Sequence, residues 1–582
     1  MTNPQQAPTH LKFDRQFFID FWKLFKPFWK SKEKNTALGM LILNIMCILI
    51  GVWSTVAING FNRDFYDALG KFDQTGIVST LGRFTIYLAI AILVYGYSAY
   101  FSMRITIQWQ RWLTSHYQKQ WLADHTYYHM QISDSGIDNP DQRVSEDLYQ
   151  FASHTLGIFF NVLQSSLTLG SFGYVLWSLS GDMHFMLGAV EIHIPGYLCW
   201  AAFLFAIVGT FIISKLGRKL SGLDYQQQQH NANFRYGLIR LRENSEQIAI
   251  LGGEEAEKNK LDLLFQRIYT NFISISILQK NLAFFTNGYN ILASIAGILF
   301  ALPIYLAKKI ELGGLMQTAG AFGSVISAFS IIINSFYQLT QWRAVIHRLT
   351  EMNNSMQVLQ KNKQKSEITL EKSAHFAIEI QNLHLKSPIG ISLIENINLT
   401  FEKGQTFLLC GPSGLGKSTL MRTIAGAWHY GSGHIRVHQD ANMMLLPQKP
   451  YLPLGSLQEA LVYPYPNIYT NEQLQTILKL CLLDKFCLEL DTVSNWSQTL
   501  SLGEQQLLAL GRVLLHKPDI ICLDESTSAL DESKEAHMYA CLREHLPQAT
   551  IISVGHRSSL LAFHDNHIFL DKTIQATPVL VS

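Results

Sequence analysis

The chain has 582 residues, 48% hydrophobic and only 15% charged, against roughly 25% charged in soluble domains, so an ordinary cytosolic enzyme is excluded. Its 46 Lys and Arg against 44 Asp and Glu leave a net charge of +2, which offers no basic field for a nucleic-acid partner. The seven Cys are odd in number, scattered and without a C-x-x-C pair, so neither a disulfide framework nor a zinc site is indicated.

The chain opens with FDRQFFIDFWKLFKPFWK at 13–30, which mixes aromatics with Lys and has the character of a helix lying in a membrane interface. Six stretches then lack Asp, Glu, Lys and Arg: 35–62, 84–103, 148–181, 192–214, 281–307 and 312–342. Each has the roughly 20 residues needed to cross a bilayer, and a charge at the bilayer centre costs at least ~2.5 kcal/mol. The tail before the first stretch and the two long connections carry twenty-one Lys and Arg, and the other three connections carry five. By the positive-inside rule the N-terminus, both long loops and the C-terminal part face the cytoplasm. The first apolar run is too long for the core of a cleavable signal. The organisation expected is a cytoplasmic segment over 1–34, a six-span domain over 35–345, a polar linker over 346–369 and a soluble domain over 370–582.

In the soluble part, FLLC at 407–410 reads as a strand running into GPSGLGKST. This is a Walker A loop: Gly411, Pro412, Ser413, Gly414, Leu415, Gly416, Lys417, Ser418 and Thr419 would cradle the phosphates of ATP. The glycines allow a tight turn of backbone N–H groups, Lys417 reaches the β/γ-phosphates, and the Ser418 hydroxyl can ligate Mg²⁺. Further on, IICLDES at 520–526 is an apolar strand delivering Asp524, suited to Mg²⁺, and Glu525, suited to orienting the attacking water. The fold class that follows is an α-helical membrane domain fused to an α/β P-loop ATPase.

Further motifs carry a family resemblance. LSLGEQQ (500–506) resembles the signature of ABC ATPases, Gln448 in LPQKPYLP resembles the Q-loop residue, Ser528 to Asp531 the D-loop, and His556 in SVGHRS the switch histidine. LPQKPYLPLGSLQEALVYP (446–464), WSQTLSLGEQQ (496–506), FRYGLIRLRENSEQIA (234–249) and NRDFYDAL (62–69) are similar to stretches of the bacterial SbmA/BacA-like and YddA-like transporters and of the ABCD half-transporters. Over nearly the whole chain the resemblance implies an exporter-type half-transporter. Such proteins work as homodimers by alternating access, each ATP site joining the Walker A of one subunit to the signature of the other. Carried over, Ser501, Gly503 and Asp531 complete the partner's nucleotide site, His556 senses the γ-phosphate, and Gln448 adds to the metal site of Ser418 and Asp524. Arg240, Arg242 and Glu243 become candidates for coupling to the ATPase.

The same resemblance implies a multi-pass protein of the bacterial inner membrane moving peptides, peptide-like antibiotics or cobalamin, with fatty acyl-CoA as the ABCD-type alternative. Three departures stand out. Leu502 occupies a position that is Gly in most signatures, Leu507 one that is often Arg, and Ser387 aligns where an adenine-stacking aromatic is the rule.

Overall fold

The computed structural model describes residues 14–133, 139–180, 182–187, 190–217, 219–364, 366–373, 375–412, 414–570 and 577–579. They form two units, one of residues 1–120 and 137–354, the other of 121–136 and 355–582.

The first unit is helical. A short helix, α1 (Arg15–Trp29), is capped by Asp14, whose carboxylate accepts the Phe17 N–H at 2.9 Å. After the long helices α2 (Lys34–Gly70) and α3 (Gln74–Leu122) comes the short α4 (Thr126–Ile132), about two turns long, which belongs to the other unit. Four more long helices complete the set: α5 (Leu148–Ser180), α6 (Tyr197–Gly217), α9 (Glu254–Leu306) and α10 (Leu312–Gln364); α7 (Leu220–Glu243) and α8 (Ser245–Leu251) lie between α6 and α9. Among these, α2, α3, α6, α9 and α10 contain stretches long and apolar enough to cross a membrane. The sixth, α5, is 33 residues without an ionisable acid, Lys or Arg, about 50 Å of helix, and Ser, Thr, Asn and Gln dilute its apolar residues. Helices satisfy every backbone hydrogen bond within themselves, as a bilayer demands. They run past the charge-free stretches at both ends, where water tolerates charge.

Small side chains let these helices approach: Ala202 and Ala206 on α6 pack with Ala293, Ala296 and Ala301 on α9 and Ala321 on α10. Buried Asp147, just before α5, is matched by a two-pronged bond from Arg348 of α10 (2.8 and 2.6 Å) and by Arg143 at 3.3 Å. A buried carboxylate is tolerated only with such partners.

One expectation needs correcting. Residues 346–364, read as a polar linker, continue α10 to Gln364, and a strand begins at Glu367. Leu349, Met352, Met356 and Leu359 recur at helical spacing and are buried, so the apolar stripe outweighs the Asn and Lys between them.

Among its described residues the second unit holds two large sheets and a two-residue ladder of Gly455–Ser456 with Val493–Ser494. The strands of the two large sheets are β3 (Glu367–Ser373), β4 (Ile378–Lys386), β5 (Ser392–Phe401), β6 (Thr406–Cys410), β7 (Gly431–His438), β8 (Met443–Leu446), β9 (Ile520–Asp524), β10 (Thr550–Val554), β11 (Asn566–Phe569) and β12 (Thr577–Val579), taking up the numbering after the antiparallel pair β1–β2 of the first unit (Asp182–Leu187 and Val190–Pro195). One sheet runs β12-β11-β6-β10-β9-β8, parallel except at β12; the other runs β3-β7-β4-β5. Strands β9 and β10 are buried on both faces, as a parallel sheet covered by helices requires. The covering helices are α11 (Lys417–Ile424), α12 (Leu502–His516) and α13 (Glu532–His545). Helix α4 sits on this unit through Tyr128 and Ile132, and its His129 ring lies 4.1 Å from that of His429.

Beside β10, the buried His564 ring bridges the Ser553 hydroxyl (2.7 Å) and the Leu560 carbonyl (2.8 Å). Burial holds its pKa down to about 4 from the ordinary 6.5. The neutral ring therefore contributes its stability in full above pH 6.5, and the contribution is lost as pH falls towards 4. The linkage is worth up to about 3 kcal/mol. Thermal unfolding between pH 7 and 4 should show a His564→Gln variant with a shallower acid decline than the unmodified protein; parallel declines would show that this ring is not protonated on unfolding.

Candidate functional site

Strands β6, β10, β9 and β8 are neighbours and run the same way. The loops leaving their C-terminal ends therefore share one edge, where ligands gather in α/β sheets. This geometry assembles residues that lie more than a hundred positions apart.

From β6 the chain turns through Gly411 to Gly416 into α11. Gly411 (φ 140°) and Gly416 (φ 89°) take conformations that L side chains rarely adopt, and a Cβ at Gly411 would run into the Leu570 carbonyl. Lys417 opens α11 and is buried; its ammonium donates to the carbonyls of Gly411 (2.6 Å) and Pro412 (2.9 Å). It thus hangs inside the loop it would share with a phosphate. Burial holds this ammonium below the usual lysine range, although Glu525, Cys410 and Asp524 act the other way. Leu415 and Thr419 anchor the two ends of the turn in the interior, Gly414 (φ 84°) completes it, and Ser413 lies outside the described residues.

From β9 come the two acids. Ser418 Oγ donates to Asp524 Oδ1 at 2.8 Å, so a hydroxyl and a carboxylate oxygen already meet. Glu525 takes the left-handed region (φ 50°), tied by its N–H to the Val554 carbonyl at 3.0 Å. A non-glycine residue held there stores roughly 1–3 kcal/mol, a mark of functional sites. Its carboxylate is shared: Gln448 Nε2, from the loop after β8, donates to Oε2 at 2.9 Å, and His556 Nε2, from the loop after β10, lies 3.5 Å from Oε1. The set of hydroxyl, carboxylate and amide oxygens from Ser418, Asp524 and Gln448 suits a hard cation such as Mg²⁺.

The signature residues are organised by their own helix. Ser501 caps α12: its N–H and hydroxyl both reach Glu504 Oε2 at 2.8 Å, and Lys485 holds the same carboxylate at 2.6 Å. Gly503 lies so close to the Ala529 carbonyl that a Cβ would stand 3.1 Å from it. Asp531 caps α13 by accepting the Lys534 N–H at 2.8 Å. Ser387 closes a tight turn, its N–H bonded to the Ile391 carbonyl at 2.7 Å, and exposes Ile389 and Ile391 rather than an aromatic ring. Arg240, Arg242 and Glu243 end α7 and are exposed in the other unit.

Two residues that sequence reasoning passed over tie the loops together. Gln506 is fully buried and bonds the Gln448 carbonyl (2.8 Å), the Ser528 hydroxyl (3.3 Å) and the Ala529 N–H (2.9 Å). Arg557 holds the carbonyls of Leu530 (2.7 Å) and Ser528 (2.6 Å). Both stand inside quoted motifs, yet only a polar residue aimed inward from α12 distinguishes Gln506, and a sequence does not show that direction. The Leu507 side chain is packed in the core and makes no polar contact, whereas Gln506 and Arg512, which grips the Ala460 and Tyr451 carbonyls, are among the polar residues this helix turns inward. Gln506→Leu should leave the Gln448 carbonyl, the Ser528 hydroxyl and the Ala529 N–H without this partner, each loss costing about 0.5–1.5 kcal/mol. ATP hydrolysis should fall at least ~10-fold and the melting temperature should drop; unchanged turnover would show that these loops position themselves without it.

With the geometry in hand, the chain was compared with known proteins. Residues 24–306 match the family described as ABC transporter transmembrane region 2, and residues 394–528 the ABC transporter family. The chain is 30% identical to the inner membrane ABC transporter ATP-binding protein YddA of Escherichia coli, over 95% of this chain and 97% of that one. It is 25% identical to the human lysosomal cobalamin transporter ABCD4, over 95% and 94% of the two chains. In shape it resembles a bacterial Atm1-family ABC exporter solved with ATP bound, with a TM-score of 0.71, 16% identity, and 93% and 94% of the chains covered.

Proposed function

This chain belongs to the ABC transporters, as an exporter-type half-transporter related to the YddA-like and ABCD proteins, and on that premise we propose that two copies of it use ATP to move a neutral or weakly charged solute, a peptide, peptide-like antibiotic or cobalamin, across a bacterial inner membrane. The observation that carries the reading is the convergence of Gln448, Glu525 and His556 beside the Ser418–Asp524 pair, on a chain that also bears apolar helices long enough to span a bilayer.

Each residue's part follows from its position. Backbone N–H groups of the 411–419 loop and the first turn of α11 receive the phosphates, where the helix N-terminus favours negative charge. Lys417 exchanges its carbonyl partners for phosphate oxygens, regaining an anionic neighbour for a buried ammonium. Glu525 orients water for in-line attack and takes up its proton. Gln448 and His556 fix the Glu525 carboxylate, and His556 is read as the residue that turns from Glu525 to the γ-phosphate when ATP is bound. Ser418, Asp524 and Gln448 would hold Mg²⁺, which neutralises phosphate charge when bound. Ser501, Gly503 and Asp531 stand on helix N-termini and are read as the surface that closes on the other copy's nucleotide. That makes ATP part of the interface, and its hydrolysis loosens the dimer.

The cargo reading is supported by the resemblance of the quoted stretches to the SbmA/BacA-like transporters and by similarity to the named cobalamin transporter. The rival, acyl-CoA, carries several phosphate charges, and the six apolar runs of this chain contain no Lys or Arg to meet them. Similarity to an inner-membrane protein and the cationic connections support cytoplasmic termini.

Glu525→Gln should still bind ATP and lose at least ~10² in turnover, measured as phosphate release beside nucleotide affinity. In cells without their own carriers, uptake of labelled cobalamin or of a labelled peptide antibiotic should disappear in the same variant. Cargo movement unaffected by Glu525→Gln would show that ATP does not drive it.

A further inference from the structure

Helix α1 carries three distinct faces. At about 100° per residue, Phe17, Phe21, Leu24 and Phe28 share one side; Phe17, Leu24 and Phe28 are buried. On the next sector stand the exposed Phe18 and Trp22. Beyond them Arg15, Lys23, Lys26 and Lys30 fall within about 80° of one another, and all four are exposed. Residues 14–34 hold six cations against three acids. Asp20 holds Lys23 at 3.1 Å and Glu33 holds Arg111 at 3.2 Å, and among the described residues Arg15, Lys26, Lys30, Lys32 and Lys34 make no ion pair.

The inner face is not an ordinary patch of core. Phe17 and Phe21 meet Trp342 of α10 with ring centroids 5.3 and 5.2 Å apart, and Phe28 stacks on Trp109 of α3 at 5.5 Å. Phe21 and Trp109 both reach Phe151 of α5, at 6.2 and 5.3 Å. One aromatic cluster thus joins α1 to three of the long helices, and only four residues separate α1 from the first apolar helix.

We propose that α1 binds acidic phospholipid headgroups, and that their occupancy governs ATP turnover by fixing, through this cluster, the positions of α3, α5 and α10. The ridge of Phe18 and Trp22 enters the acyl boundary, as aromatics at a membrane surface do. The neighbouring cations then lie at phosphate level, where the unpaired Lys26 and Lys30 gain most from an anionic lipid and the exposed Lys23 can add its charge beside Asp20. Each cation near such a surface changes lipid affinity about fivefold, so three together are worth about a hundredfold. A soluble protein partner would leave the exposed Phe18 and Trp22 without hydrocarbon to enter, which is why the charge complement is assigned to lipid.

The test uses the full-length protein. Native mass spectrometry from mixed micelles gives the affinity for phosphatidylglycerol, and ATP hydrolysis is followed in nanodiscs of phosphatidylcholine with and without phosphatidylglycerol. Phosphatidylglycerol should stimulate the native protein. Lys23→Gln/Lys26→Gln/Lys30→Gln should bind it about a hundredfold more weakly and lose the stimulation, whereas Lys23→Arg/Lys26→Arg/Lys30→Arg, which keeps the charge, should behave as native. Equal affinity in the native and Gln proteins would overturn the proposal, as would loss of stimulation in the Arg protein. If millimolar inorganic phosphate stimulates the native protein in phosphatidylcholine alone, the cations read free phosphate rather than a membrane, which also overturns it.

Discussion

The chemistry depends on one carboxylate held in a strained place. Glu525 ends a buried strand at φ 50°, and its two oxygens face residues from the loops on either side, Gln448 and His556. Four adjacent parallel strands make this possible, because each delivers its following loop to the same edge. Move β8 or β10 elsewhere in the sheet and the three side chains no longer meet. Strain at Glu525 is held by the Val554 contact and by a sheet buried on both faces, so the geometry is paid for by packing rather than by ligand. Gln506 and Arg557 extend the arrangement outward, making the Q-loop, the signature helix and the D-loop one bonded set.

The membrane-spanning part obeys a different constraint. With no water to satisfy a peptide group, only complete helices serve, and alanines rather than large residues bring them together. Charge is admitted where it is matched, as at Asp147 between Arg143 and Arg348. Aromatic rings then gather where α1 meets α3, α5 and α10, fastening this short helix to the long ones.

Much of this was legible in the residues. The phosphate loop and the two acids are short local motifs whose backbone demands show in their glycines and in the apolar strand before them. The spans show as missing charge because the penalty for burying a charge in lipid is large. What stayed hidden depends on direction and distance. Nothing local distinguishes Gln506 from a solvated glutamine until α12 turns it inward. The Asn and Lys of 346–364 masked a helix whose stripe of Leu and Met is sparse. The short α4 could not be read as part of the ATPase unit, since its docking is set by residues of the 429–430 region some 300 positions later. Where the family resemblance leads one to expect an adenine-stacking aromatic, the chain has the Ser387 turn and the exposed Ile389 and Ile391.

The central claim is that one chain holds only half of each hydrolytic site, with Lys417 of one copy working against Ser501 of the other. Complementation tests it directly. Two inactive proteins, Lys417→Ala and Ser501→Arg, are co-expressed with different tags, and the mixed dimer is purified on both. If sites form between copies, the mixed dimer carries one site with both groups intact and recovers ATP hydrolysis that neither parent shows. If Lys417 works with the signature of its own chain, no site in the mixture is whole, and a mixed dimer as inactive as its parents would contradict the account.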